Sequence, residues 1–193
     1  MIQSSALDKI VILDRDGTIV VDRGYLGDPE GLEFEPGAAE GLRWLHANGY
    51  RLVVITNQSG IGRGLFSLER LRAMNTRLFE MVADAGARLE GIYFCPHTPE
   101  DQCNCRKPAQ GLMTQASSDL GFLPALATVI GDKKSDIEFG QRAGSRTILI
   151  AHDSPCEVPG VSPDIIAANL MDAARALTSL RGGFRLKVAK PVD

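Results

Sequence analysis

Two carboxylates stand one residue apart in Leu13-Asp14-Arg15-Asp16-Gly17-Thr18, directly after the apolar run Ile10 to Leu13. At a strand tip such a pair could supply a nucleophile and a proton donor, or hold a divalent cation through oxygen. Asp and Gly also suit an ordinary solvated turn, so the hexapeptide alone leaves both readings open. A calcium loop is excluded, because EF-hand spacing would require Gly at Ile19 and an acid at Tyr25.

Three more polar clusters follow short apolar runs. Thr56-Asn57-Gln58-Ser59-Gly60 offers a hydroxyl and backbone N–H groups to phosphate oxygens, although a plain polar loop has the same composition. Gly60, Gly62 and Gly64 match neither the dinucleotide fingerprint nor the Walker pattern. Cys95, His97, Cys103 and Cys105 bring three thiols and an imidazole into one short stretch, which suits a closed, structural, tetrahedral zinc site. A disulfide between Cys103 and Cys105 would close a strained ring, and Cys156 stands apart and is expected to take no part. Zinc would staple this polar loop and set Arg106 and Lys107 beside the sheet edge, where they can meet an anion. In Gly131-Asp132-Lys133-Lys134-Ser135-Asp136, Asp132 could cap the next helix, or face Asp14 across a magnesium site.

The elements that must position these clusters are legible in the apolar pattern. Ile10 to Leu13, Leu52 to Ile55, Ile92 to Phe94, Thr128 to Ile130 and Thr147 to Ile150 read as buried strands. Between them, Ala38, Leu42 and Leu45 line a helix stopped near Gly49. A longer helix follows Ser67 with Leu68, Leu71, Met74, Leu78, Val82 and Ala85, and others are expected at Leu112 to Leu120 and Ile137 to Ala143. Alternating strands and helices imply an α/β fold, a Rossmann-like parallel sheet with helices on both faces and ligands at the carboxyl ends of its strands. The 193 residues suffice for a single domain with a core from about 8 to 180, followed by a basic, flexible tail from Arg181 to Asp193.

A net charge of −3 gives no field that would gather nucleic acid or an anionic membrane. Nothing in the sequence approaches a membrane span, and the first residues lack the apolar stretch of a signal peptide, so a cytoplasmic monomer is expected.

The joint order of these clusters resembles the haloacid dehalogenase superfamily, whose phosphatases carry Asp-x-Asp, a Thr or Ser, a Lys and Gly-Asp-x-x-x-Asp. Here those positions are Asp14 and Asp16, Thr56, Lys107, and Asp132 with Asp136. More narrowly, DRDGTI, GYLG, EFEPG, TNQSGIGRG and CPH with CNCRKP are similar to the group that joins heptose-bisphosphate phosphatases to histidinol-phosphate phosphatases. The resemblance implies a magnesium-dependent phosphomonoesterase with Asp14 as nucleophile and Asp16 as acid and base. It implies magnesium on Asp14, Asp16 and Asp132, supported by Asp136 and Lys133. It further implies that Thr56, Asn57 and Lys107 hold the reacting phosphate, and that zinc sits in the Cys/His loop.

Between the Asp-x-Asp motif and the second strand there is room for a flap and one helix, too little for an inserted cap domain. Substrate choice then falls to the loops at Asp22 to Pro36 and Ile61 to Leu65 and to the zinc loop. The expected partner is a small phosphorylated metabolite, a sugar bisphosphate, with Arg63 and Arg106 as contacts for its distal phosphate; histidinol phosphate is the alternative. A dehalogenase would not need Asp16, and a phosphomutase would need a lid against water. An inactive, zinc-stabilised binding module would be free to lose any of the acids that this chain retains.

Overall fold

Alternation with a period of two decides which face each strand residue serves. In β1 (Ile10–Leu13), Val11 and Leu13 join one apolar cluster while Ile10 and Ile12 join another. β2 (Arg51–Asn57) divides in the same way, with Leu52 and Val54 opposite Val53 and Ile55. The first cluster is covered by α1 (Ala38–Ala47), α2 (Leu68–Asp84) and α5 (Leu170–Ser179). The second is covered by α3 (Gly111–Leu120) and α4 (Lys134–Arg142). With both faces covered, strand centres are apolar throughout, which is why they read as continuous runs.

The computed structural model describes residues 9–152 and 160–179. Its sheet has six parallel strands in the order β3-β2-β1-β4-β5-β6, adding β3 (Leu89–Cys95), β4 (Thr128–Gly131), β5 (Arg146–Ile150) and β6 (Ile165–Ala167). The order reverses at β1, between β2 and β4, so the crevice beyond the carboxyl ends of these strands is the expected ligand position. The clusters led by Asp14, Thr56 and Asp132 all leave the sheet there.

The five strands and four helices read from sequence are present with small shifts at their ends. Two departures have physical causes. Leu68 is exposed, because it occupies the first position of α2, whose start Ser67 caps by accepting from Arg70 N–H at 3.2 Å. β6 escaped the pattern because a three-residue edge strand carries too little periodicity, whereas α5 has helical spacing at Leu170, Ala173, Ala174 and Leu177 but only two large apolar residues on that face. Between β1 and α1 lies only a flap, pinned by bridges from Val20 to Asp16 and Phe34, so there is no inserted cap domain. The expected tail and Cys156 lie outside the described residues. Among the described residues, no helix is long and apolar enough to cross a membrane.

Candidate active site

Asp14 follows β1 directly and donates its backbone N–H to Ile130 O at 3.0 Å, which locks it between the ends of β1 and β4. Oxygens of Asp14, Asp132 and Asp136 lie within 4.8 Å of one another. Two glycines permit this crowding. Gly17, at φ +80°, lies where a Cβ would strike the Asp132 carboxylate, and a Cβ on Gly131 would collide with the Asp136 side chain. Asp136 sits in the first turn of α4, where its Oδ2 accepts from Lys133 N–H at 3.0 Å.

Lys107 is the buried cation of this group. Its Nζ lies 2.9 Å from Asp14 Oδ1 and 2.7 Å from Asp136 Oδ1, and donates to Ile55 O at 2.6 Å. Burial works against its charge, but Asp136 and Asp14 outweigh burial and keep it firmly protonated. Both carboxylates take this one ammonium as their partner, and Asp14 Oδ1 and Asp136 Oδ1 are otherwise buried without a donor. One ammonium cannot neutralise three acids. Burial, reinforced by Asp14, pushes the Asp132 carboxyl up to about 7. Crowded oxygens of three acids that share one ammonium fit a hard divalent cation.

Asp16 faces elsewhere. Arg15 Nε donates to both its carboxylate oxygens at 3.1 Å, and Gln58 Nε2 donates to Oδ2 at 2.7 Å. Burial raises its carboxyl above the usual range, against the lowering influence of Arg15. A carboxyl group shifted in this direction holds a proton more readily and can give it to a leaving oxygen.

These groups open onto a cavity of about 350 Å³, large enough for a small metabolite. Asp14, Asp16 and Lys107 line it together with Arg106, Lys133 and Ser135. The flap contributes Asp22, Gly24 and Tyr25, and the loop after β2 contributes Asn57 to Gly60. Lys133 reaches Asp22 at 2.9 Å and so ties the flap to the acidic group; Asp132 lies 3.8 Å from the same ammonium.

Other expected site residues stand differently. Thr56 is buried, and its Oγ1 accepts from Gln58 Nε2 at 3.0 Å. Both ends of the Asn57 carboxamide are spent on the main chain of Lys107, with N–H to Oδ1 at 2.9 Å and Nδ2 to O at 3.2 Å. Asn57 therefore fixes the lysine. Arg63 does not line the cavity: its turn is held to the start of the Cys/His loop by Gly62 N–H to Pro96 O at 2.9 Å, and its exposed charge acts on Glu100. Of the two arginines expected to meet a distal phosphate, Arg106 alone reaches the cavity, and no residue from Ile61 to Leu65 lines it. Gln58 and Asp22 fall within segments expected at the site but, like Arg15, carry no individual role in the sequence reading. A signal for Gln58 existed, since it shares a face with Thr56 two residues earlier.

On the α3 face, Cys95, His97, Cys103 and Cys105 converge. Cys105 Sγ is 3.2 Å from Cys95 Sγ, 3.3 Å from Cys103 Sγ and 3.2 Å from His97 Nδ1. These separations are well beyond an S–S bond of ~2.05 Å and close to the edges of a tetrahedron built on ~2.3 Å metal–sulfur bonds. At Cys103, burial is outweighed by hydrogen bonds from Cys105 and Cys95, which bring the thiol down to about 7. The donor set could hold a soft metal ion.

The comparisons with known proteins agree with this geometry. The family profile described as HAD-hydrolase-like matches residues 104–173. The D-glycero-beta-D-manno-heptose-1,7-bisphosphate 7-phosphatase of Helicobacter pylori (strain J99) is 40% identical over 153 residues, covering 79% of this chain and 88% of its own. Its Haemophilus influenzae counterpart is 34% identical over 184 residues, covering 91% of this chain and 100% of its own. The crystal structure of D,D-heptose 1,7-bisphosphate phosphatase from B. bronchiseptica with magnesium and phosphate superposes with a TM-score of 0.79 at 28% identity, covering 89% of this chain and 98% of that one. With its acids at the switch point of a parallel sheet and relatives matched over most of their length, the chain belongs to the haloacid dehalogenase superfamily of phosphatases, in the family that contains the heptose-bisphosphate 7-phosphatases.

Proposed function

We propose that this chain removes the 7-phosphate of D-glycero-β-D-manno-heptose 1,7-bisphosphate through a phosphoenzyme on Asp14. The observation that carries the chemistry is the Lys107 ammonium held between Asp14 and Asp136 beside a cavity that also presents Arg106. The relatives' names support the substrate.

An Asp14 oxygen attacks phosphorus, and the bond from phosphorus to the sugar oxygen breaks as Asp16 gives that oxygen its proton. Asp16, now a carboxylate, takes a proton from the water that attacks the aspartyl phosphate, which frees phosphate and restores both acids. Lys107 and Thr56 hold the nonreacting oxygens, and Asn57 keeps Lys107 in place. The carboxylates of Asp14 and Asp132 and the main-chain carbonyl of Asp16 would hold magnesium, with Asp136 and Lys133 in support. When bound, the ion would screen the repulsion between carboxylate and phosphate. Arg106 meets the second phosphate at C1.

A panel of purified substrates tests the assignment. The heptose bisphosphate should exceed histidinol phosphate in kcat/KM by at least about a hundredfold, because a site built for a second phosphate leaves its cation unmatched otherwise. Arg106→Ala should raise KM for the bisphosphate about tenfold or more while sparing a simple monophosphate, and Arg63→Ala should do neither. Faster turnover of histidinol phosphate would overturn the substrate.

The magnesium site predicts a linked pH effect. Asp132 binds its proton more tightly folded than unfolded, so its favourable contribution to the cation-free fold is present at low pH and is lost as pH rises from about 4 to about 7. Magnesium should therefore raise the melting temperature more at pH 8 than at pH 5.5. Equal shifts at both would separate magnesium from these acids.

We further propose that the Cys/His site carries structural zinc. Metal analysis should find one zinc per chain, and Cys105→Ser should lose it and lower the melting temperature by about 5 °C or more. Zinc retained in Cys105→Ser, or lost in Cys156→Ser, would contradict the ligand set.

A further inference from the structure

We infer that Arg15 and Gln58 are positioning residues that hold the Asp16 carboxyl group in one orientation for proton transfer. The inference rests on the reading of Asp16 as proton donor and acceptor. Arg15 Nη2 donates to Gln58 Oε1 at 3.0 Å, and Gln58 Nε2 donates to Asp16 Oδ2 and to Thr56 Oγ1 at 2.7 and 3.0 Å. Arg15 Nε closes the ring on Asp16. Every polar atom of the Gln58 carboxamide is thus assigned a direction, since reversing it would set its oxygen against the carboxylate and its amide against the guanidinium.

Stability does not account for this arrangement. Arg15 is buried and does not line the cavity, its guanidinium is turned to Asp16 and Gln58, and its Nη1 is buried without a hydrogen-bond partner. A buried ion pair is often no better for stability than well-packed apolar side chains in place of both its partners. The unit has a function if its output is the orientation of Asp16. That carboxyl must face the leaving oxygen in one half-reaction and water in the next, and a small misplacement of a proton-transfer group lowers rate steeply. The link from Gln58 to Thr56 ties this orientation to the end of β2.

The test uses the full-length, magnesium-loaded enzyme and two esters, the heptose bisphosphate, whose alkoxide needs a proton, and p-nitrophenyl phosphate, whose phenolate does not. Values of kcat/KM are compared because they report the steps up to release of the alcohol. Gln58→Ala and Arg15→Met should each lower kcat/KM on the alkyl ester about tenfold or more, and on the aryl ester less than about threefold. In an Asp16→Ala background neither substitution should lower the rate further, and there, with no carboxylate left to strand, Arg15→Met should melt no lower than Asp16→Ala itself. Equal losses on both esters, or losses that multiply with that of Asp16→Ala, would overturn the inference. Should Gln58→Ala fail to fold, Gln58→Glu keeps the size and the acceptor for Arg15 but turns an oxygen toward Asp16. Unchanged discrimination between esters in that variant would equally overturn it. If Asp16→Ala itself loses equally on both esters, the proton-donor reading fails first; if it discriminates while the losses multiply, only the positioning role falls.

Discussion

Asp14→Asn is expected to lower turnover by at least about four orders of magnitude while the protein still folds and binds zinc. The substitution keeps the side chain's shape and removes both the nucleophilic oxygen and one of the charges around the metal site. Folding survives because Lys107 keeps Asp136 at 2.7 Å and Ile55 O at 2.6 Å, so no buried charge is stranded. The contrast with Lys107→Met is informative. That variant leaves Asp14 and Asp136 buried without their cation, a change that costs on the order of 3–5 kcal/mol. Its inactivity would therefore mix chemistry with folding. Circular dichroism and zinc content of Asp14→Asn, measured beside its rate, separate the two. A folded Asp14→Asn enzyme that keeps most of its activity would exclude Asp14 as nucleophile.

Asp16→Asn should lower kcat/KM for the heptose bisphosphate by about a hundredfold to ten-thousandfold, the usual range for a lost proton-transfer group. Arg15 and Gln58 together donate to both carboxylate oxygens and find only one acceptor on the amide, so part of the loss reflects its placement. For p-nitrophenyl phosphate the same variant should lose far less in kcat/KM, because that leaving group departs without a proton. In kcat the two substrates should converge, since both pass through the same aspartyl phosphate and both then need Asp16 to activate water. Parallel losses in kcat/KM across leaving groups would remove Asp16 from the acid's role.

The difference between Asp14 and Asp16 could not be read from their spacing. Their strand and turn were legible because Ile10 to Leu13 is a short apolar run followed by a turn-forming Asp-Gly pair, and parallel strands buried on both faces leave such runs wherever they occur. The Cys/His loop was legible because three thiols and an imidazole in so short a stretch suit a tetrahedral metal ion and little else. The missing part concerns direction. Asn57 looked like a phosphate donor, but its carboxamide faces Lys107, fifty residues along the chain. Arg63 looked like a second-phosphate contact because its turn follows the Thr56 cluster and a guanidinium suits phosphate, but it is not among the residues that line the cavity, and its turn is bonded to the start of the Cys/His loop. Nothing local in the sequence marks Arg15, because its burial against Gln58 depends on a loop from another strand. Long-range side-chain pairing of this kind leaves no local period in a sequence, whereas strand and helix faces do.

The central claim is that phosphate leaves the heptose by way of Asp14. The most direct measurement is an acid quench of the wild-type enzyme during turnover of D-glycero-β-D-manno-heptose 1,7-bisphosphate, followed by peptide mapping by mass spectrometry. Phosphate should be found on the peptide that carries Asp14, should be released by mild alkali as an acyl phosphate, and should be absent from Asp14→Asn. Phosphate on any other residue, or steady turnover with no phosphoenzyme under conditions where the aryl ester yields one, would contradict the account.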